Sequence, residues 1–171
     1  ARIHAQALVL LERHGVLTRE AVAGEAVDGG FSAVYPVLRA MEEAGRIRRG
    51  YFVDGLGAAQ FALPGAVDRL RALRDQPGEA AGDHGRLVHL LAAADPANPY
   101  GAALPWPRRG DDDRRSFQRA AGAYVALVDG AAAIYVDRSG TSIQVLPAAE
   151  DPDALAAGLR SLADLVADGR V

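Results

Sequence analysis

The chain has 171 residues, half of them apolar, so it can bury a core as one domain or as two small ones. The formal net charge is -3, the chain lacks cysteine, and no apolar run reaches the roughly 20 residues that span a membrane. These features exclude disulfides and thiolate metal sites and, with no secretory signal pattern, we expect a cytoplasmic protein with no membrane partner.

Three helices are predicted in the first part of the chain. Apolar residues at helical spacing indicate a first helix that ends at Gly15. Thr18 is typical of an N-cap and predicts a short second helix after it. After Gly29-Gly30 the helical spacing returns and continues to Gly45, and we place Pro36 in or near the first turn of this third helix.

A β-hairpin is predicted after the third helix. Two extended runs, 46–53 and 58–63, are joined by the turn sequence Asp-Gly-Leu-Gly, and the second run alternates in the manner of a half-buried strand. A fourth helix from about 66 to 74 follows. Three helices and then a hairpin form the order of a winged helix-turn-helix, so we predict such a domain, with its trailing helix, over residues 1–75.

The second part of the chain, 87–171, is predicted to be rich in β-strands. Residues 76–86 separate it from the first part and are predicted to be a linker, because they contain Pro and Gly and lack periodicity. A buried strand over 86–94 is followed by a long proline-rich loop and by three more strands, with a hairpin turn at Asp129-Gly130.

A last helix is predicted from about 152 to 166, and its apolar face is Leu155, Leu159, Leu162 and Val166. The whole chain is therefore expected to be α+β. We predict a winged helix-turn-helix followed by a small module, barrel-like or an open sheet, that carries this C-terminal helix.

A cluster of arginines lies at the start of the hairpin. Arg46, Arg48 and Arg49 follow Arg39 of the third helix. A planar guanidinium can donate two hydrogen bonds to a phosphate, so these residues are candidates for contact with a nucleic-acid backbone. The alternative is a solvated strand whose arginines pair with nearby acidic residues, and the sequence leaves both interpretations open.

The outward positions of the third helix argue against sequence-specific reading of DNA. They are Ser32, Pro36, Arg39, Ala40 and Glu43. Base edges are read mainly by Arg, Asn and Gln, and this set offers a single arginine. We therefore expect any DNA contact, to single strands or duplex, to be independent of sequence.

Aromatic residues offer a second kind of contact, because they can stack on unpaired bases. The candidates are Tyr51, Phe52, Tyr100 and Trp106. Trp106 is the first choice among them. The more common role of such residues, as anchors of a core or loop, stays open for each.

No metal site is predicted. His84 and His89 are five residues apart, a spacing that places them on opposite faces of a strand. Asp111–Asp113 is flanked by arginines and lacks the pattern of a calcium loop. The sequence also lacks a P-loop, a dinucleotide fingerprint and a nucleophile motif, so the residues themselves indicate no catalytic centre.

Three segments carry a family resemblance: "GGFSAVYPVLRAMEEAGRIRRGYFVDGLGAAQFALPGAVDRLR", "DPANPYGAALPWP" and "DGAAAIYVDRSG". Together they resemble the C-terminal region of the Lhr (large helicase-related) superfamily-2 ATP-dependent DNA helicases. The resemblance implies an intact bacterial repair protein that uses ATP and Mg²⁺ to move 3′ to 5′ on single-stranded DNA and to unwind duplexes. The helicase motifs are absent from this chain, which we expect to be part of a longer polypeptide and to need no cofactor itself.

The same C-terminal region is similar to winged-helix DNA glycosylases, which excise damaged bases. Their Gln-x-Gln or Gln-x-Asp signature is missing here, because no glutamine has Gln or Asp two residues later. The glutamines are Gln6, Gln60, Gln76, Gln118 and Gln144. Asp54 and Asp95 are the only weak candidates for activating water, and each also suits a turn.

Three functions remain after the sequence is read. The leading one is a non-catalytic module of a large DNA-repair helicase that contacts the DNA backbone or assembles with other domains of the same polypeptide. The first alternative is a glycosylase-like base-excision domain. The second is a purely structural module that packs on sister domains or on copies of itself as a homo-oligomer.

Overall fold

The computed structural model of the protein describes residues 2–57, 59–74, 86–110 and 115–169. The chain divides near residue 77 into two compact units, and Ala102–Leu104 group with the first. Of the predicted linker 76–86, every residue except Arg86 lies outside the described ranges. Both units combine helices with antiparallel strands, so the fold is α+β.

The first unit has the element order of a winged helix. Its helices and strands are α1 (Arg2–His14), β1 (Val16–Leu17), α2 (Arg19–Gly24), α3 (Gly30–Glu43), β2 (Arg48–Gly50), β3 (Gln60–Ala62) and α4 (Pro64–Arg74). Helix α1 packs against α3. Their core contains the fully buried Leu11, Leu38 and Phe61, and each such burial contributes roughly 1.5 to 3 kcal/mol.

Local capping explains where these helices begin and end. Thr18 Oγ1 accepts a hydrogen bond from Ala21 N at 3.1 Å, which confirms the predicted N-cap of α2. At the end of α3, Arg46 N donates to Met41 O and Gly45 N donates to Glu42 O. This is a Schellman arrangement, and it places Gly45 at a φ of 68° that favours glycine.

The three-stranded sheet of the first unit has the order β1-β3-β2, with every pair antiparallel. Strand β3 is therefore central, and Gln60, Phe61 and Ala62 are all buried. The predicted half-buried strand is wrong because side chains on both faces of β3 are covered: Phe61 lies in the core, and Gln60 is hydrogen-bonded to the backbone of the loop that follows β2. Both strands of the hairpin are also shorter than the predicted extended runs.

The predicted position of Pro36 is also wrong. Helix α3 begins at Gly30, so Pro36 lies inside the helix and beyond its first turn. A proline there has no N–H to donate to the carbonyl four residues earlier, which belongs to Ser32. Ser32 is exposed, so water can bind that carbonyl instead.

The second unit is an antiparallel sheet with a helix against it. Its elements are β4 (Val88–Ala92), β5 (Tyr124–Val128), β6 (Ala131–Val136), β7 (Ile143–Val145), a 3-10 turn (Pro147–Glu150) and α5 (Pro152–Ala167). The strands pair in chain order and, within the described residues, β4 and β7 remain two open edges. The barrel-like alternative is therefore not confirmed. The predicted buried strand is wrong, because β4 lies at an edge of the sheet and is only partly buried. His89 in this strand is exposed.

The predicted turn at Asp129-Gly130 joins β5 to β6. Asp129 has φ 50° and Gly130 has φ 83°, the two positive values that a type I′ turn requires. Arg86 donates hydrogen bonds to the side chains of Asp129 and Asp151, and Asp151 is the N-cap of α5. One guanidinium thus links the turn to the start of the helix.

Helix α5 contacts the sheet through small residues as well as through half of the predicted leucine face, because Leu155 and Leu162 pack against the core. Its buried residues are Ala154, Ala157, Gly158 and Leu165. A Cβ on Gly158 would stand 2.9 Å from Ile134 Cδ1, so glycine allows the helix to approach β6 closely. Leu159 and Val166 of the predicted face are exposed, at 43% and 61%. The contact face is therefore rotated from the predicted one, because close approach favours the small side chains.

Candidate nucleic-acid interface

The exposed face of α3 is the one that the sequence predicts. All five of its outward positions are exposed: Ser32, Pro36, Arg39, Ala40 and Glu43. Arg39 Nε donates to Glu43 Oε1 at 2.9 Å, one helical turn away. Arg39 therefore has an acidic partner on its own helix with which a phosphate would compete, and the face offers no long amide side chain for reading bases.

Strand β2 places its two arginines on opposite sides of the sheet. Arg49 stands opposite Phe61, whose side chain is in the helix-facing core, whereas Arg48 stands opposite Ala62 on the other side. In agreement with this register, Arg49 Nε lies 3.5 Å from Glu42 Oε1 of α3. The four candidate arginines therefore do not form a single uniform patch.

The four arginines divide into two pairs, according to whether each forms an ion pair with an acidic residue. Arg39 and Arg49 each form an ion pair with a glutamate of α3, whereas neither Arg46 nor Arg48 forms one with another described residue. Arg46 and Arg48 are also exposed. An incoming phosphate would meet full positive charge at these two positions and compete with glutamates at the other two.

The loop that connects β2 to β3, residues 51–59 apart from the undescribed Ala58, is called the wing here. Its conformation is held by the fully buried side chain of Gln60. Gln60 Oε1 accepts from Phe52 N and from Val53 N, both at 2.8 Å. Gln60 Nε2 donates to Val53 O at 2.9 Å and also lies 3.3 Å from Leu56 O. One amide thus satisfies backbone groups on both sides of the wing.

The two weak catalytic candidates lie in turns. Asp54 Oδ1 accepts from Gly55 N at 2.9 Å, and Asp95 Oδ1 accepts from Ala97 N at 2.8 Å. Both contacts are exposed, and each carboxylate is used by the backbone next to it. The arrangement favours a turn role, and catalysis at either residue stays an untested prediction.

Trp106 lies in an aromatic cluster of the second unit. Its ring is 6.0 Å from that of Tyr100, with an angle of 25° between the planes, and it also contacts the rings of Phe117 and Tyr135. A stacked neighbour already covers part of the indole surface that a base would need. The contacts favour a role in packing, and stacking of Trp106 on a base stays a prediction.

Tyr51, rather than Trp106, has the exposed ring that stacking on an unpaired base requires. Its residue surface is 81% exposed, and it is the only aromatic residue of the described chain that is exposed. Sequence alone lacked the signal for this choice, because the Tyr51-Phe52 pair gives no indication of which ring packs. Phe52 is the one that lies against Gly50.

The described residues contain neither a metal-binding cluster nor a P-loop. No group of three or more His, Asp or Glu side chains is arranged there to hold a metal ion, and His84 and Asp111–Asp113 lie outside the described ranges. Gly55 and Gly57 lie between two strands rather than before a helix, and the chain has no lysine, so they do not form a P-loop. Within the same ranges, every helix is too short or too polar to cross a bilayer.

Comparison with known proteins gives matches over both units. Residues 1–82 match the family model described as "Large helicase-related protein, winged-helix domain". Over 170 residues the chain is 49% identical to the "Lhr helicase/ probable uracil glycosylase" of Mycolicibacterium smegmatis, covering 99% of this chain and 11% of that protein.

A second curated relative is the "Lhr helicase/uracil glycosylase" of Escherichia coli. It is 40% identical over 144 residues, which cover 84% of this chain and 9% of that protein. The chain therefore spans about a tenth of the length of the curated relatives it matches.

Proposed function

The chain belongs to the large helicase-related (Lhr) family, and we propose that it is a non-catalytic, DNA-contacting module of a larger repair helicase. The observation that carries this proposal is the exposed pair Arg46 and Arg48, neither of which is neutralised by another described residue. Backbone contact suits them, because phosphates offer charge without sequence information.

The position of these arginines is fixed by the fold. The Schellman arrangement at the end of α3 sets where Arg46 leaves the helix, and pairing with β3 holds Arg48 at an open sheet edge. Because the backbone at both positions is already ordered, the loss of conformational freedom when a phosphate binds falls on the two side chains alone. ATP hydrolysis and 3′-to-5′ movement are proposed for the intact bacterial protein, through residues other than these.

The test is the binding of labelled single-stranded and duplex DNA to the 171-residue chain at several salt concentrations, followed by fluorescence anisotropy. Backbone contact predicts an affinity that falls steeply as salt rises and that varies little with base sequence. If neither DNA binds at the lowest salt concentration, DNA contact by this chain is wrong, and assembly with other domains becomes the remaining role.

Base excision is the second candidate, because both curated relatives carry uracil glycosylase in their names. The test is incubation of the chain with uracil-containing DNA followed by alkali, which cleaves the strand at any abasic site. Cleavage that is lost in Asp54→Asn or Asp95→Asn would establish this activity. Intact DNA after prolonged incubation with a binding-competent chain would exclude it for the chain alone.

A purely structural role would leave a different signature. A module that assembles with copies of itself should show a mass that rises with concentration in light scattering. A constant monomeric mass together with DNA binding would exclude the homo-oligomer and leave DNA as the partner.

A further inference from the structure

Tyr51 stands apart from the other aromatic residues of the first unit. Phe31, Tyr35 and Phe61 contact one another's rings in or beside the core. Tyr51 has no aromatic partner among the described residues and is 81% exposed. A tyrosine ring exposed to this extent is accessible to a ligand, and a ligand that covered it would gain the free energy of burying its apolar surface.

The backbone around Tyr51 is fixed on both sides. Before it, Gly50 pairs with Gln60 at the end of β2. After it, the amides of Phe52 and Val53 both donate to Gln60 Oε1. Phe52 also lies against Gly50, where a Cβ would stand 3.3 Å from Phe52 Cζ. The tyrosine ring is therefore presented from a preorganised segment, and binding through it needs little further ordering of the backbone.

The charges near Tyr51 suit a polyanion. In the chain, Arg46 and Arg48 precede it by five and three residues, and neither is paired with a described acid. The acid of the wing is Asp54, three residues after Tyr51, whose carboxylate accepts a hydrogen bond from Gly55 N. Exposed aromatic rings beside unneutralised arginines are the combination that binds single-stranded nucleic acid, where the arginines follow the backbone and the ring stacks on a base. In a duplex the base faces are covered by neighbouring bases, so the ring has no comparable partner there.

We propose that Tyr51 is the base-stacking residue of the wing and that its ligand is an unpaired base of single-stranded DNA. Gln60 holds the backbone after the tyrosine, because its side-chain oxygen accepts from the two amides that follow. The inference rests on the proposed DNA contact and adds to it a preference for single strands over duplex.

The experiment compares wild type, Tyr51→Phe, Tyr51→Ala and Leu73→Ala in anisotropy titrations with a deoxythymidine oligomer and with duplex DNA at several salt concentrations. Leu73 is a matched control because it is 67% exposed and lies on α4. Stacking predicts that Tyr51→Ala weakens oligomer binding roughly 5- to 150-fold. The factor should be similar at every salt concentration, because a base carries no charge to screen.

The remaining variants and a modified oligomer identify the contact. Tyr51→Phe and Leu73→Ala should bind the oligomer as wild type does, and Tyr51→Ala should leave duplex binding unchanged. With an oligomer of the same charge that carries abasic sites in place of bases, wild type should bind no better than Tyr51→Ala.

Different failures have different meanings. If wild type binds DNA and Tyr51→Ala binds the oligomer equally well, stacking is wrong while the proposed function stands. An equal loss on oligomer and duplex would also overturn it, because the ring would then contact the sugar-phosphate backbone. If wild type binds no DNA at low salt, the proposed function itself fails and the inference fails with it.

Discussion

Gln60 and Val53 are joined by two hydrogen bonds, in which Gln60 Oε1 accepts from Val53 N at 2.8 Å and Gln60 Nε2 donates to Val53 O at 2.9 Å. The side-chain amide thereby pairs with the backbone as a neighbouring strand would, beyond the point where β2 separates from β3. The path of the wing consequently depends on one buried side chain.

Replacing Gln60 should destabilise the first unit. Gln60→Ala removes the acceptor of two part-buried backbone N–H groups, so each lost hydrogen bond should cost about 1 kcal/mol or somewhat more, in addition to the cavity that the buried side chain leaves. We expect the free energy of unfolding in urea to fall by about 2 to 4 kcal/mol, with faster hydrogen exchange at the amides of Phe52 and Val53. Gln6→Ala on α1 is the control, and similar stability of the two variants would contradict the role of Gln60.

The two pairs of arginines should contribute unequally to DNA binding. Arg46→Ala with Arg48→Ala should reduce the slope of log affinity against log salt by about two units, one for each lost phosphate contact. Arg39→Ala with Arg49→Ala should reduce it by less than half of that, because a phosphate must compete there with Glu43 and Glu42.

The matched control is Arg69→Ala with Arg160→Ala, on α4 and α5, which removes the same charge from other elements at positions with no described ion pair. These arginines are exposed as well. If this control changes the salt slope as much as the Arg46 and Arg48 variants do, binding follows overall charge rather than the wing.

Acid should weaken the contact between the end of α1 and Glu25. Hydrogen bonding to Arg13 Nη1 lowers the pKa of Glu25 below its ordinary value of 4.5, and His14 Nε2, at 3.0 Å, lowers it further. A carboxyl whose pKa is lower in the folded state stabilises the fold above pH 4.5, and this contribution is lost as the pH falls through the folded-state pKa.

The measurement for Glu25 is the difference in unfolding free energy between wild type and Glu25→Gln from pH 7 down to pH 3. The difference should be largest near neutral pH and should shrink on acidification. In an Arg13→Ala background it should be much smaller at every pH, because the main cause of the shift is gone. A difference that grows at low pH would contradict the assignment.

Gly101 should not tolerate a side chain. It has φ 75°, and a Cβ there would overlap Trp106 Nε1. Gly140→Ala is the matched control, since Gly140 has φ 69° but open space around it, and should cost about 1 kcal/mol for the backbone strain alone. Gly101→Ala should cost about 2 to 4 kcal/mol, because it adds a steric overlap to that strain.

Tryptophan fluorescence provides the readout for Gly101→Ala, because Trp106 is the only tryptophan of the chain. Displacing the indole from its aromatic cluster should move its emission to longer wavelength, whereas Gly140→Ala should leave the emission unchanged. Equal stability and identical spectra for the two variants would show that the cluster adjusts without strain.

Features set by local chemistry were predictable from the sequence. Thr18 caps its helix through an amide three residues away, and Gly45 and the Asp129-Gly130 turn adopt positive φ values that few other residues accept. Features set by distant neighbours were not. The central position of β3 requires β1 to pair with it, and the contact face of α5 follows from how closely Gly158 approaches Ile134.

In the candidate site, too, features set by local spacing were predictable and contacts between distant residues were not. Helical spacing gave the exposed face of α3, and a spacing of four residues between Arg39 and Glu43 is that of a helical ion pair. The contact of Arg49 with Glu42 joins a strand to a helix, so no sequence pattern predicts it. The environments of Tyr51 and Trp106 likewise depend on which rings the fold covers.

Every partner that the Gln60 side chain has among the described residues is a main-chain atom, in Phe52, Val53, Leu56 or Gly57. Side chains of the wing can therefore change without removing the bonds that shape it, provided that the backbone angles remain allowed. Mutation could exchange the residues that meet a ligand while the loop keeps its form. The wing thus combines a fixed backbone with replaceable side chains. Loops of this kind allow binding specificity to change by mutation, in evolution and in protein engineering.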